Sequence, residues 1–173
     1  MPGVEVRPLR DDERRWMRQI VRERWGDEWI VGRGRAYQVG DLPAIVAQDG
    51  DERVGLLTYR IDRDLAEIVT LDAFREGVGV GRALIQSVVG EAESAGSTRL
   101  LVMTTNDNVD ALRFYQRAGF RLAELRAGAV DEARRRKPWI PDVGHYEIPV
   151  RDELDLIRDL AAASQEPTSS SDR

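Results

Sequence analysis

A chain of 173 residues has the length of one domain, and an apolar content of 42% is enough for a real core. There is no cysteine, which excludes disulfides, thiolate metal sites and a cysteine nucleophile; the single histidine, His145, reads as structural or surface and cannot form a metal cluster by itself. A net charge of −5 argues against nucleic acid as the main partner, because phosphate binding wants a basic face, and is compatible with a cationic small molecule.

The first residues, MPGVEVRPLR, lack the apolar run of a signal peptide, and no apolar segment approaches membrane-spanning length. The expectation is a cytoplasmic protein with no membrane partner, either a monomer or a homodimer. Val4 to Pro8 alternates apolar and polar residues and reads as a short strand. Asp11 and Asp12 open a helix that runs to about Trp25 and stops at Gly26. Asp27 to Asp41 shows no clear period and reads as a long loop with room for one helical turn. Ala44 to Gln48 and Arg53 to Arg60 read as strands joined at Asp49-Gly50-Asp51, a hairpin signal. Leu65 to Asp72 returns as a third strand of the meander.

Gly77, Gly79 and Gly81 then lead into a helix whose stripe is Leu84, Ile85, Val88, Val89 and Ala92. Gly96 ends it, and Leu100 to Met103 forms a short buried strand. A helix joins that strand to Leu65–Leu71, so the two can be parallel. Asp107 or Asn108 caps a helix to about Ala118, Gly119 stops it, and Phe120 to Leu125 starts a strand. Ala127 to Val143 reads as a loop with a helical turn over Asp131–Arg136, and the basic run Arg134–Lys137 as a solvated face. His145 to Val150 reads as a last strand, at an edge because of Pro149. Arg151–Leu160 reads as a helix or as a continuation of that strand, and Leu154, Ile157 and Leu160 favour the helix. Residues 164–173, SQEPTSSSDR, have no means of burying anything and are expected to be disordered, which leaves one domain over 1–163.

A strand, a glycine turn and a helix start together make either a phosphate cradle or a tight strand-to-helix turn with no ligand. Glycines allow a tight turn and close approach, while the first helical amides are unpaired and sit at the positive end of the dipole. Three nucleotide motifs fail on their spacing or setting. A Walker loop needs Gly-Lys-Ser/Thr, whereas Arg82-Ala83 follows Gly81. A Rossmann turn needs two residues between its last two glycines, whereas only Val80 separates Gly79 from Gly81. A kinase glycine loop lies between strands, and here the pattern after Gly81 is helical.

A second stretch follows, Asn108-Val-Asp-Ala-Leu-Arg-Phe-Tyr115-Gln-Arg-Ala-Gly119-Phe120. With the glycine turn it resembles the GNAT superfamily of acyl-CoA-dependent N-acetyltransferases, over roughly Val4 to Leu125. The resemblance implies an α/β fold: a mixed, largely antiparallel sheet of six to seven strands with helices on both faces, splayed between the strands at Leu65–Leu71 and Leu100–Met103. It also implies acetyl-CoA as acyl donor, no metal, and an amine acceptor of unknown identity. In the family the amides of Gly77, Val78, Gly79, Val80, Gly81 and Arg82 hold the pyrophosphate, aided by the charge of Arg82 and of Arg75. Val69, Thr70 and Leu71 pair with the pantetheine arm as an added strand. Asn108 helps fix the cofactor or simply caps its helix. The family often has Gln or Arg where this chain has Glu76, so Glu76 is expected to point outward.

The resemblance also implies roles. A lysine-like amine is neutral in only about one molecule in a few thousand at pH 7, a penalty of roughly 4–5 kcal/mol. A positioned base, acting directly or through water, reduces it. The candidate is Glu67, in an Ala-Glu-Ile-Val stretch like that of the histone-acetylating branch, where a carboxylate faces either the cleft or solvent. Other branches place a glutamate where this chain has Met103. Tyr115 stands where the family keeps the tyrosine that protonates the leaving thiolate; the alternative is a helix aromatic packed in the core, as Phe114 also reads. The region 27–41 lines the acceptor side in the family; Trp25, Trp29 and Tyr37 either line that pocket or pack the loop. The function implied is acetyl transfer to a primary amine by direct attack. A module that binds or senses acyl-CoA without turnover, and a transferase for longer acyl groups, are the alternatives.

Overall fold

A computed structural model describes residues 3–161. The elements in chain order are β1 (Glu5–Pro8), α1 (Arg14–Trp25), β2 (Trp29–Gly32), β3 (Arg35–Gln38), β4 (Ala44–Asp49), β5 (Glu52–Asp62), β6 (Leu65–Ala73), α2 (Val80–Ser94), β7 (Arg99–Thr105), α3 (Val109–Arg117), β8 (Arg121–Arg126), α4 (Ala129–Arg136) and β9 (Glu153–Asp159). The expected tail, 164–173, lies outside the described residues. Among those residues no helix is long and apolar enough to cross a membrane.

Seven strands form one sheet in the order β1-β4-β5-β6-β7-β9-β8. Only β6 and β7 run parallel; their connection is α2, as the intervening helix requires. The α2 stripe, Leu84, Ile85, Val88 and Ala92, is fully buried against one sheet face with Ile45, Leu57, Ile68 and Val102. Tyr115 and Phe120 belong to the same cluster. The opposite face is covered by α1, whose Met17 and Val21 pack with Val39, Val46 and Leu56. Each such fully buried aliphatic side chain contributes about 1.5–3 kcal/mol of transfer free energy.

Two irregularities shape the middle of the sheet. β6 pairs with β7 only over Leu65–Ile68 and Arg99–Val102; beyond that the strands part. At the same place Thr58 faces Thr70 while Tyr59 faces Ile68, so Val69 is an extra residue in β6. A bulge of this kind re-aims side chains. Val69 packs in the α1-side cluster, and the neighbouring Thr70 hydroxyl meets Thr58 Oγ1 at 2.7 Å. On the edge that faces the parting, Val69 to Leu71 meet no strand among the described residues.

Four sequence expectations are corrected. The loop over Asp27–Asp41 contains the hairpin β2–β3, turned at Arg33-Gly34 with φ of 53° and 71°. Two positive φ values make a two-residue hairpin turn, which arginine at its first position disguises. His145–Val150 is no strand: Tyr146 and Glu147 take positive φ, which interrupts extended backbone, and a single bridge joins Val143 to Pro149. Arg151–Leu160 is not helical but holds β9, inserted between β7 and β8. Its Glu153 and Asp155 are buried, so a strand with carboxylates on one inner face passed for a helix with a polar side. The run Arg134–Lys137 is only partly solvated. Arg134 donates to the carbonyls of Ile140, Pro141 and Val150, and Lys137 is buried against the carbonyl of Trp29.

Candidate active site

The glycine turn follows β6 directly. Gly77 and Gly79 have φ of 76° and 84°, and a side chain added at either would meet nothing within 4 Å. The space in front of the turn is therefore open. Gly79 is the N-cap of α2, and the first helical bond runs from Ala83 N to Gly79 O. Among the described residues no acceptor meets the amides of Val80, Gly81 or Arg82. Unpaired amides at a helix start, with no acid in the first turn, suit an anion. Gly81 answers a different need, since a Cβ there would lie 2.8 Å from Phe114 Cζ. Arg82 and Glu76 are both exposed. Arg75 instead pairs with Asp49 at 2.6 Å and Glu52 at 2.5 Å, so its charge is spent on the β4–β5 turn.

Glu67 lies on β6 one residue before the end of the parallel pairing, on the face covered by the β2–β3 hairpin, and is 5% exposed. Its Oε2 accepts from the Tyr37 hydroxyl at 3.2 Å and from Arg60 Nη1 at 3.4 Å, and Arg33 Nη1 stands 4.0 Å away. Oε1 has no protein donor among the described residues and is not sealed from solvent. One oxygen is thus anchored and the other is left to accept a proton. Tyr37 meets the carboxylate directly. Trp25 donates its indole N–H to Asp72 at 2.8 Å, and Trp29 holds Lys137 through its carbonyl.

Tyr115 is packed edge-on between Phe114 and Phe120, with centroids 5.3 and 5.5 Å away. Burial, and then the negative charge of Asp72, push its hydroxyl well above the ordinary tyrosine range. It therefore holds its proton at neutral pH. Asp72 is itself raised by burial, against the opposing hydrogen bond from Trp25. Asn108 caps α3, its Oδ1 accepting from Ala111 N at 3.1 Å, so its side-chain oxygen is used within the fold.

Sequence reasoning missed Arg33, Arg60, Asp72, Glu153 and Asp155. Arg126 grips Asp155 through both nitrogens at 2.7 Å and Glu153 at 3.1 Å. Only Asp72, one residue past Leu71, had a signal in the chain. The others meet across sequence separations of up to 120 residues.

The acetyltransferase (GNAT) family profile matches residues 7–120. The chain is 36% identical over 142 residues to the uncharacterized protein YxbD of Bacillus subtilis (strain 168), covering 82% of this chain and 89% of that one. In fold it is similar to the IAA acetyltransferase from Bacillus cereus ATCC 14579, with a TM-score of 0.67 and 19% identity over 91% of this chain and 100% of the other. It is equally similar to a GNAT family acetyltransferase from Elizabethkingia anophelis with acetyl-CoA bound, with a TM-score of 0.67 and 16% identity over 92% of this chain and 100% of the other. The open glycine turn, the parted β6 and β7 and the profile match converge on one conclusion: the chain belongs to the GNAT family of acetyltransferases.

Proposed function

We propose that the protein moves an acetyl group from acetyl-CoA to the nitrogen of a primary amine. The observation that carries this reading is the placement of three features around one strand end. The unbonded amides of α2 follow β6, its free edge spans Val69–Leu71, and Glu67 precedes that edge with one oxygen open. Gly77, Val78, Gly79, Val80, Gly81 and Arg82 would hold the pyrophosphate. Val69, Thr70 and Leu71 would hold the pantetheine arm by main-chain hydrogen bonds. Asn108 would contribute through its remaining amide nitrogen.

Acetyl-CoA, when bound, supplies a thioester open to attack by a neutral amine. The carbon–nitrogen bond forms as the carbon–sulfur bond breaks. Glu67 takes the proton from nitrogen at Oε1, directly or through one water. Tyr115 supplies the proton that the thiolate needs, and burial keeps that proton in place until then. The absence of cysteine accords with direct attack.

Thermal unfolding with acetyl-CoA, coenzyme A, ATP and NAD tests the donor. A ligand specific for the folded state stabilises it by about 2.7 kcal/mol at a hundred times its dissociation constant. A shift with acetyl-CoA and coenzyme A alone is expected, followed by thiol release in an amine screen. No shift with either at saturation would overturn the reading.

A further inference from the structure

Lys137 is the only lysine among the 26 lysine and arginine residues of the chain. Among the described residues it is also the only buried basic side chain, at 7% exposure. Burial holds its ammonium below the ordinary lysine range, against the opposing charge of Asp27. An ammonium taken out of water costs free energy unless partners meet it. Here they come from the approach to the β2–β3 hairpin. Nζ donates to the carbonyl of Trp29, the first residue of β2, and stands 4.0 Å from Asp27 Oδ2. Trp139 borders it, with Nζ 5.9 Å from the ring centroid. The backbone of Lys137 ends α4, its N donating to Ala133 O at 2.9 Å. The ammonium thus ties the end of α4 to the start of the hairpin.

The hairpin depends on such ties. β2 and β3 pair with each other, and neither joins the seven-stranded sheet. Ile30 packs in the α1-side cluster, Arg33 at the turn meets Asp155 and Glu153, and Lys137 holds the opposite end. In the ladder Trp29 faces Gln38 and Ile30 faces Tyr37. The Lys137 contact is therefore one register position from Tyr37, while the turn lies beyond two further pairs, Val31–Ala36 and Gly32–Arg35. The Tyr37 hydroxyl donates to Glu67 Oε2 at 3.2 Å, and Arg60 Nη1 meets both groups. A contact of that length is lost when the strand carrying it moves by about 1 Å.

We infer that Lys137 is a positioning residue for the reaction: by holding Trp29 it keeps the Tyr37 hydroxyl on Glu67 and Oε1 turned toward the acceptor amine. This rests on the reading of Glu67 as base. A lysine suits the place where an arginine does not. Its single nitrogen reaches one carbonyl on an unbranched stem, whereas a planar guanidinium needs several acceptors in fixed directions. None of these contacts involves the amides of α2 or Val69–Leu71, so donor binding is expected to be spared.

A double-mutant cycle with Lys137→Met and Tyr37→Phe tests this on the full chain, by thiol release from acetyl-CoA with the best amine of the screen above as acceptor. Each single variant is expected to lose about tenfold in kcat, with KM for acetyl-CoA unchanged. The double variant is expected to lose no more than the worse single one, because both changes act through one hydrogen bond. Losses that multiply, or an unchanged kcat in Lys137→Met, would overturn the inference. The carbon-13 signal of the Tyr37 ring carbon that bears the hydroxyl gives a readout without any acceptor. In Lys137→Met it is expected to move toward its position in Glu67→Ala, and an unmoved signal would overturn the inference too. Full turnover in Glu67→Gln would remove the base and this inference with it; loss there beside multiplying losses in the cycle would sink the inference alone. Lys137→Gln, one bond too short for the carbonyl, replaces Lys137→Met if that variant fails to fold. Failure of both to fold would assign Lys137 to stability and overturn the positioning role.

Discussion

At the scale of single residues, the proposed reaction would divide its proton transfers between Glu67 and Tyr115 according to their surroundings. Glu67 is anchored through Oε2 by Tyr37 and Arg60, which fixes the direction in which Oε1 points. Glu67→Gln preserves the shape and removes the proposed base, so kcat should fall by about a hundredfold or more, with the acetyl-CoA thermal shift unchanged. Equal turnover in that variant would remove Glu67 from the mechanism. Tyr115→Phe should lower kcat similarly and keep cofactor binding. Burial and the Asp72 charge raise the Tyr115 hydroxyl, so its proton is retained above the ordinary range. The rate should therefore show no loss from tyrosine ionisation up to about pH 10, where an unperturbed tyrosine is half ionised. A pH–rate profile under saturating donor checks this.

Among the elements, the turn into α2 separates two roles of glycine that look alike in the chain. At Gly79 an alanine Cβ meets nothing, so the cost is backbone strain at φ 84°, about 1–2 kcal/mol. At Gly81 the same change presses on Phe114, which packs against Tyr115. Gly79→Ala should weaken acetyl-CoA binding together with stability. Gly81→Ala should depress turnover beyond any loss in binding. Thermal unfolding paired with coenzyme A titration and steady-state kinetics distinguishes the two. The hairpin and β9 show the opposite case. β9 carries Leu154 and Leu156 on one face and Glu153 and Asp155 on the other. Those acids can be buried because Arg126 from β8 and Arg33 from the hairpin meet them. Removing one partner of such a pair leaves an uncompensated buried charge.

Across the whole molecule, one buried acid fastens the start of the chain to the sheet. Glu13 accepts from Arg7 on β1 at 2.7 and 2.8 Å and from Arg53 on β5 at 3.1 Å. The Arg7 hydrogen bond, opposed by burial and helped by the Arg10 amide and Arg53, lowers Glu13 to about 2. A lowered carboxylate stabilises the fold above its unfolded value near pH 4.3, and the contribution is lost as pH falls through about 2. Denaturant titrations at several pH values should show this loss, and Glu13→Gln should be less stable at pH 7 with a flatter acid limb. The strands of the meander, the α2 stripe, the capped α3 and the glycine turn were all legible in the chain, because each rests on local period or on backbone chemistry at one position. Glu67 and Tyr115 stood out through their motifs. The hairpin, the strand identity of β9 and the arginines that meet Glu67, Glu153 and Asp155 were not legible. Glu153 and Asp155 look solvated until Arg33 and Arg126 arrive from elsewhere, and an acid's burial is decided by its partner rather than its neighbours. Local chemistry in the sequence determined the frame and the glycine turn into α2; only the tertiary structure decided which charges surround Glu67, because those contacts join residues far apart in the chain.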